Sequence, residues 1–73
     1  MNLSDCTAGT VARVRAISAE STVALRLREM GLRPGARIRL AGVGAAGARI
    51  VAIGAARLAI DATTSRHIEV EAA

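Results

Sequence analysis

Apolar residues recur along this chain with two periods, and the switch between them divides it into elements. From Val11 to Ile17 they alternate. Ala12 and Val14 share one face and Arg13 and Arg15 the other, as in a half-buried strand. Ile17 breaks the alternation, which predicts a bend or bulge near Ala16. After a polar connection, Ser18 to Ser21, residues Val23, Leu27 and Met30 stand at i, i+4 and i+7, on one face of a helix. Ser21 or Thr22 is expected to cap its start, and Leu27, Met30 and Leu32 to hold it to the rest of the fold. Gly31 sits where a helix ends in a left-handed residue, with Leu32 placed for the apolar contact of a Schellman stop. Pro34-Gly35 then supplies the fixed φ and the positive φ of a type II turn. Beyond it Ala36, Ile38 and Leu40 alternate with Arg37 and Arg39, a second strand.

Small residues fill Ala41 to Gly47, which reads as a flexible hairpin loop. Ile50, Val51 and Ile53 mark a third strand, and Gly54-Ala55-Ala56 is a short turn into a fourth, Arg57 to Ile60, where Leu58 and Ile60 alternate with Ala59. Asp61 to Ser65 has room for one helical turn. His67 to Glu71 closes the chain as a strand with Ile68 and Val70 inward. Before the first strand, Leu3 is a lone apolar residue in a polar start and Ala8-Gly9-Thr10 reads as a turn. The pattern predicts a mainly β protein, a small, strongly bent sheet or barrel with one short helix, as a single domain over residues 1–73.

Composition narrows this picture. A chain of 73 residues has room for one core, and without Phe, Trp or Tyr that core is built from Val, Ile, Leu, Met and Ala. No apolar run approaches the ~20 residues of a membrane span, and the start lacks the basic and apolar regions of a secretory leader, so a cytoplasmic chain without membrane insertion is expected. Cys6 is the only cysteine, which excludes an intramolecular disulfide and thiolate-cluster zinc sites. The net charge of +4 comes from arginine alone, and the ten arginines are scattered singly. A basic balance favours an acidic partner, while scattered charges are equally what a solvated surface needs.

Four chemistries can be weighed. Gly42 to Gly47 matches GxGxxG, with Asp61 downstream as a ribose-binding acid would be. That fingerprint works only where the loop opens a helix in a βαβ unit, and here a strand follows. Cys6, His67 and Asp5 could form a metal site only if both chain ends met, and one histidine gives no support for nucleophilic catalysis at Cys6. No catalytic residue, metal ligand or cofactor site is assigned. Single-stranded nucleic-acid binding combines basic grooves with aromatic platforms, which are missing, although Arg26, Arg28 and Arg33 could touch phosphates. An aromatic groove for polyproline peptides cannot be built either.

The order of elements carries a resemblance. Arg26 to Leu40, RLREMGLRPGARIRL, resembles the signature of the FeoA family: Leu27, Met30, Gly31 and Leu32 on the helix and its stop, then Pro34-Gly35 and a strand. Leu3-Ser4-Asp5 and Gly9 resemble the family's opening, Arg57-Leu58-Ala59-Ile60 its hairpin return and Ile68-Glu69-Val70 its closing strand. The resemblance implies an SH3-like β-barrel and a non-enzymatic, cytoplasmic accessory protein of bacterial ferrous iron uptake. Its implied partner is the membrane GTPase transporter FeoB. On this reading Arg26, Arg28, Glu29 and Arg33, on the solvent side of the helix and its exit turn, meet an acidic face of that partner, and nucleic acid is not expected. The alternatives are a free-standing module related to the barrel of iron-dependent repressors, or a basic nucleic-acid-binding barrel. Ala48 and Arg49 stand where the family often has proline, and exposed strand edges leave self-association open.

Overall fold

The computed structural model describes residues 1–73. Five strands, β1 (Val11–Ile17), β2 (Arg37–Val43), β3 (Arg49–Ile53), β4 (Ala56–Ile60) and β5 (Ile68–Ala72), form one antiparallel sheet in the order β4-β3-β2-β1-β5. β2, β3 and β4 are a meander. The chain then passes through a one-turn helix, α2 (Ala62–Ser65), to place β5 against the far side of β1. The longer helix, α1 (Ser21–Glu29), connects β1 to β2.

The expected bulge is present, since Val14 faces Val70 while Ala16 faces Glu69, leaving Arg15 as the extra residue. A second bulge lies between Leu40 and Gly42. Each adds local twist, and together they let so few strands curl around a core. That core gathers alternate residues of every strand, including Val14, Leu40, Val51, Ile68 and Val70, all 2% exposed or less.

Three boundaries differ from expectation. β2 continues through Val43, and Ala45–Gly47 form a 3-10 turn, so the small-residue segment is half strand. Ala56 pairs with Ile53, leaving Gly54 and Ala55 as a two-residue turn with Gly54 at φ +56°. Leu3 is no isolated residue in a polar start: it is buried inside a 3-10 turn, Leu3–Asp5. There the Asn2 side chain accepts from the Ser4 N–H and the Asp5 carboxylate accepts from the Asn2 N–H. The spacing Asn2-x-x-Asp5 is a capping-box pattern and was legible as one. This start also covers an edge of the sheet, because the Val70 N–H donates to the Met1 carbonyl and Asn2 bridges Glu69.

Candidate partner-binding face

The C-terminal end of α1 is built as its sequence dictates. The Leu32 N–H donates to the Leu27 carbonyl and the Gly31 N–H to the Arg28 carbonyl, both at 2.9 Å, the two bonds of a Schellman motif. Gly31 takes φ +98°, which a side chain would resist. Leu27 and Leu32, the apolar pair of that motif, are both buried. The Ala36 N–H then donates to the Arg33 carbonyl at 3.0 Å, closing the turn through Pro34 and Gly35, with Gly35 at φ +92°.

The other end departs from expectation. Ser21 is the first helical residue, and the N-cap is Glu20, whose side chain makes no capping bond. Nor is Met30 an anchor. It is 49% exposed, Val23 is 36% and Leu25 54%, so Leu27 is the one buried residue within the helix. The core takes in Leu27 alone from α1. Val23, Arg26 and Met30 follow each other at i, i+3 and i+7 along one exposed stripe, and Leu25 lies beside Arg28 and Glu29 on the outermost face.

Arg26, Arg28, Glu29 and Arg33 are all exposed. None joins an ion pair, for the one salt bridge in the protein links Arg15 Nε to Glu71 Oε1 at 3.2 Å. Arg26 and Arg28 stand in the last turn, where a positive charge also offsets the helix dipole. The result is a short helix presenting apolar side chains within a basic rim.

The remaining candidates are placed as follows. Asp5 and His67 line one polar depression of about 320 Å³ with Asn2, Ser18, Arg66 and Glu69, so the chain ends do meet. Cys6 is buried instead, its Sγ 3.8 Å from the Asn2 carbonyl, and burial followed by the Asp5 carboxylate pushes its thiol pKa up, against the opposing pull of Arg49. No group of three or more His, Cys, Asp and Glu side chains is gathered for a metal ion. The Gly42–Gly47 segment leads into β3 and opens no helix, which removes the nucleotide-binding reading. Arg49 is a structural residue that no local sequence pattern announces. Its guanidinium donates to the Gly47 carbonyl at 2.9 Å and the Ser4 carbonyl at 2.6 Å, joining the hairpin to the N-terminal turn. Its Nε is buried without a partner.

The FeoA domain model matches residues 1–72. The chain belongs to the FeoA family. A search of curated proteins returns no match. Among solved structures, the FeoA protein of Chlorobium tepidum superimposes with a TM-score of 0.92 at 29% identity, over 99% of this chain and 70% of that one. Iron(II) transport protein A of Clostridium thermocellum gives 0.88 at 27%, over 99% of this chain but only 45% of its own. Stenotrophomonas maltophilia FeoA, solved with zinc and described as a procaryotic SH3 domain protein, gives 0.81 at 29%, over 97% and 89%. The metal-dependent transcriptional regulator MtsR shares the fold, with a TM-score of 0.85 at 18% identity over 34% of its length. This FeoA-family chain has an SH3-like fold.

Proposed function

We propose that this protein is a non-enzymatic accessory protein of ferrous iron uptake that docks on the cytoplasmic GTP-binding domain of a FeoB-type transporter through α1 and the Arg33 turn. Family membership supports the pathway, as does the description of the Stenotrophomonas maltophilia relative as a proposed ferrous iron transport activating factor. The observation that carries the docking surface is the division of apolar residues around α1. Leu27 and Leu32 are buried and hold the helix, while Val23, Leu25 and Met30 stay in water among Arg26, Arg28 and Arg33. Exposed apolar side chains set among charges, here Val23 and Met30 along one stripe and Leu25 on the outer face, are what protein interfaces use, with rim charges setting on-rate and salt dependence. On this reading the protein works in the cytoplasm as one domain, residues 1–73. No helix in it is long and apolar enough to cross a membrane.

Calorimetric titration into the purified cytoplasmic domain of the same organism's transporter, with a short DNA duplex as control, tests the reading. Saturable binding to the GTPase domain, weakened by Arg26→Glu with Arg33→Glu, is expected. Binding to DNA alone, lost steeply with salt, overturns it.

A further inference from the structure

The strand register assembles a second basic surface, on the outer face of the sheet and bordering the exit turn of α1 at Gly35. On β2, Arg37 and Arg39 point to the same side, about 6.8 Å apart along the strand. Arg13 of β1 stands directly opposite Arg37, and Val11 opposite Arg39. In the other direction Arg39 faces Ala52 of β3, which faces Arg57 of β4. Four arginines from three strands thus share one face, all exposed and none ion-paired. The Arg13 Nη1 donates to the Gly35 carbonyl at 3.2 Å, and across the β1–β5 register Arg13 stands opposite Glu71, whose carboxylate pairs with Arg15. Like charges placed directly opposite each other on a sheet cost stability, and with Glu71 lying beyond Arg13, Arg37 and Arg39 have no carboxylate opposite them.

Between these side chains lies a shallow depression of about 320 Å³. Arg37 and Arg39 wall it, and Val11, Ala52 and Gly54 give it a small, apolar floor. We propose that this face binds an extended acidic segment of a partner protein, with carboxylates at alternate positions meeting Arg37 and Arg39 and the intervening side chains turned to solvent. An extended segment repeats its side chains every second residue at the spacing of Arg37 and Arg39 themselves. Nucleic acid fits less well. The face has no helix or ribbon to enter a groove and no aromatic side chain to serve as a stacking platform. A membrane surface fits less well too, because no apolar side chain protrudes from the face to insert.

The test uses the full chain and a fluorescein-labelled short peptide of alternating Glu and Val, read by anisotropy at low and moderate salt. A Lys and Val peptide, a short oligothymidylate, a short duplex and phosphatidylglycerol vesicles complete the series. Saturable binding of the acidic peptide is expected, with amide shift changes at Val11–Arg13, Arg37–Arg39 and Ala52–Gly54. Affinity should fall about tenfold or more in Arg37→Glu with Arg39→Glu and stay unchanged in Arg26→Glu with Arg33→Glu. That contrast separates this face from the α1 surface. Both side chains are exposed, and Arg37→Glu places a carboxylate opposite Arg13, so the variant should fold at least as stably as the wild type. No peptide binding, equal loss in both double variants, tighter binding of nucleic acid or vesicles, or self-association that competes with the peptide would each overturn the proposal.

Discussion

Replacing Leu32 and Met30 by alanine, one at a time, separates the residues that hold α1 from those it displays. Leu32 is fully buried behind Gly31. Leu32→Ala removes three apolar carbons worth roughly 0.8 kcal/mol each, or about 2.4 kcal/mol, and the residual cavity raises the loss to about 3 kcal/mol. Met30 is 49% exposed, so its truncation forfeits about half of a buried methionine's ~2 kcal/mol, or roughly 1 kcal/mol. Total stability at this length is about 4–11 kcal/mol, so the first loss is a large share and the second is not. With no aromatic residue to report by fluorescence, urea unfolding is followed by far-ultraviolet circular dichroism. At a slope of about 1 kcal/mol per molar, the midpoint should fall by about 3 M for Leu32→Ala and by about 1 M for Met30→Ala. Equal shifts, or a larger one for Met30→Ala, would refute the division of α1 into anchors and displayed residues.

Gly31→Ala should cost about 1–2 kcal/mol in the same assay. The strain comes from φ +98°, since the new Cβ would meet Ile53 Cγ2 at an ordinary 3.5 Å, whereas Gly42→Ala, with open space and no positive φ, should be near neutral. Asp61 caps α2, and hydrogen bonds from the Thr64 side chain and backbone hold its carboxyl below the usual aspartate value. Its contribution is therefore complete above about pH 4 and is lost as pH falls through the lower folded value. Thermal melts between about pH 2 and pH 6 should show a shallower acid limb in Asp61→Asn than in wild type, and identical limbs would contradict the assignment.

What could be read from the sequence was what local sterics decide. Gly31, Pro34 and Gly35 have few backbone options, and the stop and turn they predict are present with the expected bonds. Strand alternation and the bulge after Val14 were legible for the same reason. The period of Val23, Leu27 and Met30 announces a helix but not how much of it is covered. That depends on which side chains the core takes in, and here it takes in Leu27 and leaves Met30 half exposed. Contacts between distant segments left no local trace. Arg49 joins a carbonyl 45 residues earlier. Arg13 and Arg57, far from Arg37 and Arg39 in sequence, join them on one face only through strand register.

Docking through α1 is tested most directly by amide chemical-shift mapping of the isotope-labelled protein as the transporter's unlabelled cytoplasmic domain is added. If α1 is the docking surface, shifts or broadening concentrate at Val23, Leu25, Arg26, Met30 and Arg33 while the core strands stay unchanged. A footprint that spares α1, or none at all at saturating concentration, would contradict it.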